Sequence, residues 1–496
     1  MRLHPLPAAI LPLLLVSAPL PAAAGPPAPY GVLPSQAQLG WHELEMYAFA
    51  HFTTNTFTDK EWGYGDEDPA IFNPTDFSAD QIVGTLAECG FKGLILTAKH
   101  HDGFCLWPTK TTKHSVAASP WQGGKGDVVK EIADACRRHQ IGIGMYLSPW
   151  DRNNQHYGSP EYIDIYRAQL RELLTNYGPV FEVWHDGANG GDGFYGGARE
   201  KRGIDRTSYY DWPTTWALTH ELQPKAVIFS DVGPGCRWIG NERGLAEYPC
   251  WATITPVGKG GGKPCPGDID ERCLPGGTAD GKFWIPGECD VSIRPGWFWH
   301  EAQNSQVRSP KNLLDLYFAS VGRGASFLLN VPPDRRGRIH ENDVASLRGF
   351  KKALDRLFEK NFAAGATASA DSTRGPGFEP ALVLDDSKQS YWATPDGTTT
   401  AALEVVLPEA RTFSVIRLRE AIALGQRVRR FAVDVRENGA WREWFPDGSS
   451  IGAHVLLRGK PVTADAVRVR ITQAAACPCI SELSLWLEPA DVPETP

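Results

Sequence analysis

At 496 residues the chain is longer than one hydrophobic core ordinarily fills, so it divides into two or three domains. Apolar residues make up 42% and charged residues 22%, which excludes a disordered chain. A formal net charge of -8 gives no general attraction to nucleic acid or to an anionic membrane, and neither is expected as a partner.

The first residues read as an export signal. Arg2 supplies the positive start, Leu11 to Val16 the short apolar run, and Ala22-Ala23-Ala24 a small-residue cleavage site before Gly25. Residues 1–24 are thus expected to be a signal peptide, and the mature chain to be periplasmic or secreted. The apolar run is too short to cross a bilayer, and no later stretch of about 18 apolar residues exists. Ten cysteines suit an oxidising compartment. Five of them (Cys236, Cys250, Cys265, Cys273 and Cys289) crowd a Gly- and Pro-rich region, where disulfides would staple long loops. None shows the C-x-x-C spacing of a zinc site.

From about residue 30 to 360, short apolar strands alternate with amphipathic helices. Met46 to Phe52 reads as a strand and Asp80 to Cys89 as a helix. Gly93 to Thr97 is the second strand, followed by a helix over Asp127 to His139. Ile141 to Leu147 is the third; Ser159-Pro160-Glu161 then caps a helix running to about Tyr177. Val180 to His185 is the fourth strand, Thr207 to Leu222 mostly helical, and Ala226 to Ser230 the fifth strand. Residues 250–295 are irregular. Ser326 to Asn330 is a last buried strand, and Asn342 to Phe358 the closing helix. Such repetition predicts an α/β fold, a (β/α)8-like barrel of the TIM type, irregular through strands six and seven. The alternative, an open doubly wound sheet, lacks a G-x-G-x-x-G after any strand. Over 363–492 the segments Thr400 to Leu407, Val415 to Leu418, Arg430 to Val435 and Val467 to Ile471 predict an antiparallel β-sandwich.

Polar residues gather where a barrel keeps its chemistry, at the C-terminal ends of the strands. The run Phe181-Glu-Val-Trp-His-Asp186-Gly carries Asp186 to a strand end, although an Asp before Gly also simply starts turns. The other strand ends supply His51, with Glu61 and Trp62 after it; His100 and His101; Tyr146; Asp231, with Glu242 beyond it; and Arg294 ahead of Trp297 to Trp299. Singly, each has a structural reading: a satisfied core histidine, an arginine paired with an acid such as Asp290, or tryptophans in a core. His100 and His101, adjacent on a strand, would point to opposite faces and make a poor metal pair. Two acids with neutral donors and aromatic walls suit glycoside hydrolysis without metal or cofactor. Asp186 at a rigid strand end suits the nucleophile, and Glu242 on a longer loop beside Trp and Arg suits the acid/base. Asp231 and Glu288 compete for the second role.

The motifs His51-Phe-Thr-Thr-Asn-Thr-Phe57, Glu61-Trp-Gly63, Leu96-Thr-Ala-Lys-His-His-Asp-Gly-Phe104, Tyr146-Leu-Ser-Pro-Trp-Asp151, Val183-Trp-His-Asp-Gly-Ala188, Trp238-Ile-Gly-Asn-Glu242 and Ile293-Arg-Pro-Gly-Trp-Phe-Trp299 resemble the family 29 α-L-fucosidases. They occur in order over residues 40–335, and the likeness extends to the downstream sandwich of the α-1,3/1,4-specific branch. The resemblance implies a retaining exo-α-L-fucosidase acting on fucosylated oligosaccharides or glycoproteins, with Asp186 as nucleophile and Glu242 as acid/base. It further implies that His51, Glu61, Trp62, His100, His101, Tyr146 and Arg294 hold the sugar, with no metal in catalysis. The loop over 190–201 is longer than the resemblance leads one to expect. Two rivals remain at this level: a catalytically silent fucose- or glycan-binding protein, and a zinc-dependent barrel hydrolase using His100 and His101.

Overall fold

The computed structural model describes residues 25–495; the export signal read over 1–24 lies outside the described residues. Eight parallel strands close into a barrel in chain order: β1 Met46–Ala50, β2 Gly93–Lys99, β3 Gly142–Leu147, β4 Glu182–Trp184, β5 Val227–Ser230, β6 Cys236–Trp238, β7 Gly287–Ser292 and β8 Ser326–Asn330. Closure comes from β8 pairing with β1, Met46 opposite Phe327 and Phe49 opposite Asn330. All of these strands except the first residue of β3 and the last of β6 are buried, because helices cover their outer face and large side chains fill the inside. Tyr47, Phe49, Tyr146, Trp184 and Phe229 make that filling mostly aromatic.

Outside the barrel lie α1 Gln36–His42, α2 Ala79–Glu88, α3 Val128–His139, α4 Pro160–Asn176, α5 Trp212–Leu222, α6 Pro310–Ala319 and α7 Glu341–Phe358. Their starts follow capping chemistry: Ser78 accepts from Gln81 N, and Asp127 from Lys130 N at 2.8 Å. The irregularity expected at strands six and seven lies one connection earlier as well. Five residues, with no helix, join β5 to β6, and Gly235 folds back so tightly that a Cβ there would sit 2.5 Å from Ile228 N. A long loop over 239–286, again without an α-helix, joins β6 to β7; it carries a small pair, Thr253–Ile254 with Phe283–Trp284.

The C-terminal domain is antiparallel: β9 Thr367–Ala370, β10 Trp392–Ala393, β11 Ala401–Glu420, β12 Val428–Glu437, β13 Ala440–Gly448, β14 Val455–Ala474 and β15 Cys479–Trp486. The segments read as two strands, Thr400 to Leu407 and Val415 to Leu418, are one strand with bulges; its first half pairs β9 and its second half β15. This β-sandwich is fixed to the barrel through Phe358 against Trp486 (ring centroids 5.0 Å), Arg419 to Glu45 (2.7 Å) and Arg458 to Asp315 (2.7 Å). It also grips the 239–286 loop, where Tyr248 Oη accepts from Ser449 N and Gln426 Oε1 from Ala252 N. All ten cysteines are free thiols, so the disulfides expected across 236–289 are not formed; Cys236, Cys250, Cys265 and Cys289 are buried as small apolar side chains, and Cys273 is partly exposed.

Candidate active site

One pocket at the C-terminal end of the barrel is lined by Phe49, His51, Trp62, His100, His101, Tyr146, Trp184, Asp186, Ala188, Glu242, Asp290 and Trp297. Asp186 stands just past β4 with its carboxylate fixed on both sides. Tyr146 Oη donates to Oδ2 at 2.8 Å, and Ala188 N donates to Oδ1 at 2.7 Å. Gly187 has a role beyond starting a turn: a Cβ on it would lie 2.3 Å from Asp231 Oδ2, so only glycine lets Asp231 pack behind the Asp186 loop. Asp231 itself accepts from Gly267 N at 2.7 Å, outside the pocket; burial pushes its carboxyl up to about 6.

The three histidines are presented as neutral rings. Asn330 donates from Nδ2 to Trp297 O and Ser292 Oγ, so its Oδ1 accepts from His51 Nδ1 at 2.8 Å and leaves Nε2 of His51 bare. Ser148 spends its proton on Trp150 O, so it accepts from His101 Nδ1 at 2.7 Å; Nε2 of His101 is then bare too, 3.8 Å from Asp186 Oδ2. His100 Nδ1 is buried without a partner. A buried orphan acceptor is cheaper than an orphan N–H, which places the proton on Nε2. Burial lowers all three pKa values, that of His51 to about 3. Two acceptors and one donor therefore converge beside Asp186. The two adjacent histidines do enter the same pocket, with ring centroids 4.1 Å apart. Strand pairing shifts register between Thr97 and Lys99 and β2 ends there, so strict alternation no longer applies to residues 100 and 101.

Glu242 follows β6, a strand the sequence pattern did not mark, and stands on the exposed rim. Trp297 Nε1 donates to its Oε2 at 3.2 Å. Partial desolvation, with the charges of Asp186 and Glu61, holds its carboxyl above the usual glutamate value. Trp62, half exposed, meets His101 edge-on at 5.4 Å.

Two of the expected sugar-holding residues sit elsewhere. Glu61 accepts from Trp297 N (2.8 Å) and Phe298 N and bonds His300 Nε2 (2.6 Å), so it anchors the Trp297 wall from behind. Arg294 is fully buried behind β7, with Nε donating to Asp343 Oδ2 of α7 at 2.9 Å and Nη1 to Asn304 Oδ1. It lies past the strand end, on the side facing the helices, and its acid is not the Asp290 that the sequence offered. Glu288 is also excluded from the pocket. It is sealed in the barrel centre against Glu182, accepting from Tyr47 Oη and Trp184 Nε1.

Asp290 and Asn330 belong to the site and were missed. Asn330 ends β8, and the strand-end rule that picked out His51 would have found it. Asp290 is buried in the pocket beside Glu242 and accepts from Trp238 Nε1 at 3.0 Å; burial and the charges of Glu242 and Glu288 hold its carboxyl well above the usual range.

An acid fixed at a strand end, a second acid on the rim, and neutral imidazoles between aromatic walls define the class: a glycoside hydrolase built on a (β/α)8 barrel. The family model described as Alpha-L-fucosidase matches residues 28–356, and that of the F5/8 type C domain matches residues 365–483. Alpha-L-fucosidase 1 of Arabidopsis thaliana is 42% identical over 472 residues, covering 93% of this chain and 89% of that protein. A glycoside hydrolase 29 family member from an unknown rumen bacterium superposes with a TM-score of 0.83 at 40% identity, covering 94% of this chain and 80% of that one. The Ruminococcus gnavus family 29 fucosidase solved in complex with fucose gives 0.84 at 32% identity, with 95% and 97% covered. The chain belongs to the α-L-fucosidases of glycoside hydrolase family 29.

Proposed function

We propose that the protein is a retaining exo-α-L-fucosidase, exported after removal of residues 1–24, that releases α-1,3- and α-1,4-linked fucose from oligosaccharides or glycoproteins. The observation that carries the reading is the double fixation of Asp186 by Tyr146 Oη and Ala188 N. It holds the carboxyl group still while leaving it open to the pocket, which is what attack on an anomeric carbon requires. In the first step Asp186 attacks that carbon while Glu242, whose carboxyl partial burial holds above the ordinary glutamate value, gives a proton to the leaving oxygen. In the second, ionised Glu242 takes a proton from water, which displaces Asp186 and releases fucose with its configuration kept. Positive charge developing near the ring oxygen in both transition states is stabilised by the nearby Asp186 carboxylate. The bare Nε2 atoms of His51 and His101 accept sugar hydroxyls, and a hydroxyl lying between His101 Nε2 and Asp186 Oδ2 joins two acceptors 3.8 Å apart. Phe49, Trp62, Trp184 and Trp297 supply apolar faces suited to a 6-deoxy sugar, which presents a methyl where other hexoses carry a hydroxyl.

The test compares wild type, Asp186→Ala and Glu242→Ala on an aryl α-L-fucoside with added azide. Rescue of Asp186→Ala as the β-fucosyl azide and of Glu242→Ala as the α-azide is expected. Wild-type rates for Glu242→Ala on a Lewis-type trisaccharide would remove Glu242 from the role. Equal turnover of α-1,2, α-1,3, α-1,4 and α-1,6 fucosides would remove the linkage preference. N-terminal sequencing of the exported chain, expected to begin at Gly25, tests the export reading.

A further inference from the structure

Far from the pocket, the sandwich carries a second site of reactive chemistry. Arg427 is fully buried, and its guanidinium donates to the carbonyls of Leu424, Cys477 and Ala28 and, from Nη1 at 3.2 Å, to Cys477 Sγ. Among the described residues no carboxylate lies within ion-pair distance of it; Glu420, seven positions before it, is taken by the backbone N–H groups of Arg427, Val428 and Gly452. A buried guanidinium with no counter-charge is costly, and a sulfur is the one partner in contact that can become an anion. Cys479, two residues on at the start of β15, turns its thiol back toward Cys477 and donates to that residue's carbonyl at 3.5 Å. Asp396, whose exposed side chain pairs with Arg374, accepts at Oδ1 from Cys477 Sγ at 3.7 Å.

We propose that Cys477 and Cys479 form a redox-reactive dithiol in which Cys477 is the thiolate paired with Arg427 and Cys479 is the resolving thiol. The groups that face Cys477 set its charge: the Cys479 thiol and the Arg427 and Arg374 guanidinia favour the anion, and burial and Asp396 oppose it, with the thiol held below its ordinary value. Cys479 is pushed the other way, chiefly by its bond to Cys477. With a small-molecule or protein disulfide as oxidant, the Cys477 thiolate attacks one sulfur and expels a thiolate, leaving a mixed disulfide. Cys479 loses its proton to the expelled thiolate and attacks Cys477 Sγ, releasing a second thiolate. Two cysteine sulfurs are oxidised to one disulfide, the oxidant disulfide is reduced to one thiol and one thiolate, and the charge is unchanged. Cys250 also meets a buried guanidinium, Arg237 Nη2 at 3.9 Å, but no second cysteine lies two residues from it; Cys273, the most exposed, has no guanidinium on its sulfur.

The experiment uses the full chain. Limited iodoacetamide at pH 6 followed by peptide mapping is expected to label Cys477 ahead of the more exposed Cys273. Oxidised glutathione is then expected to give wild type a 477–479 disulfide, seen as the loss of two hydrogens from that peptide, and to stop Cys479→Ser at a mixed disulfide on Cys477. Labelling of Cys273 first, or a 477–479 peptide that keeps both thiols in oxidised glutathione, overturns the proposal. Both readouts are available on wild type, so they do not depend on whether the serine variant folds.

Discussion

Trp184 donates its indole N–H to Glu288 Oε1 at 2.8 Å, while the ring stacks on Phe229 at 3.9 Å and under Tyr146 at 5.2 Å. The aromatic floor that supports the Tyr146–Asp186 bond is thus tied to a carboxyl in the dry centre of the barrel. That carboxyl faces a second one, Glu182, which accepts from Trp41 Nε1 at 2.8 Å. Two carboxyls sealed together retain a proton between them, and burial raises both pKa values. Glu288→Gln keeps a donor for Glu182, and Tyr47 has Ser326 Oγ in reach at 3.0 Å, so this variant is expected to lose about 1 kcal/mol or less. Glu288→Ala strands Trp184 N–H and Glu182 and is expected to cost about 3 kcal/mol or more, measured by urea denaturation. Above the ordinary glutamate value the folded state keeps protons that the unfolded chain has lost. Stability should therefore fall as pH rises from 4.5 toward neutrality, and the slope should flatten in Glu288→Gln.

In the proposed mechanism Glu242 must be protonated for the first step, so the pH profile of kcat/KM is expected to report it on the alkaline side. The Trp297 indole N–H favours the ionised form. Trp297→Phe removes that bond and keeps most of the apolar wall, so the alkaline limb should move to higher pH. A move to lower pH would mean that the indole acts mainly by excluding water.

Asp290 tests whether a pocket carboxyl works as a neutral acid. Its one side-chain hydrogen bond comes from Trp238, and the nearest charges are those of Glu242 and Glu288, both of which disfavour ionisation. Asp290→Asn copies the protonated shape and should keep kcat/KM within about threefold, whereas Asp290→Ala should lose roughly tenfold to a hundredfold, the worth of one buried hydrogen bond. Equal losses in the two variants would show that the charged form is the one in use.

Arg294 separates stability from binding. Arg294→Met leaves Asp343 buried and unpaired, which typically costs about 3–5 kcal/mol. The denaturation midpoint should drop, while KM of the protein that remains folded stays near wild type. A tenfold rise in KM at unchanged stability would return Arg294 to the sugar.

Much of the barrel was legible because its strands end on residues that a core would not choose. His51, Tyr146 and Asp186 each close an apolar run, and that change of character is local in sequence. β6 was illegible for the opposite reason. Its three residues, Cys236 to Trp238, follow β5 after five residues with no helix between, so no period of either kind can develop. Arg294 looked like a ligand because its partner, Asp343, lies 49 positions away on a helix whose face the pattern does not locate. Asp290 was hidden by burial, as it sits within a strand rather than at its end. Glu61 has the right address but the wrong neighbours: the backbone of Trp297 and Phe298 takes its oxygens.

The absence of an α-helix between β5 and β7 has a consequence for how the two domains can be inherited. Glu242 rides on the 239–286 loop, and that loop is held by Ser449, Gln426 and Arg429 of the sandwich, the last bonding Asp280 and stacking on Trp251 at 4.7 Å. The sandwich is therefore no detachable module added to a finished enzyme. A chain cut after residue 360 would free the scaffold of Glu242 while leaving Asp186, just past β4, in place. Gene shuffling that exchanged this domain for another would preserve the Asp186 side of the pocket and loosen the Glu242 side.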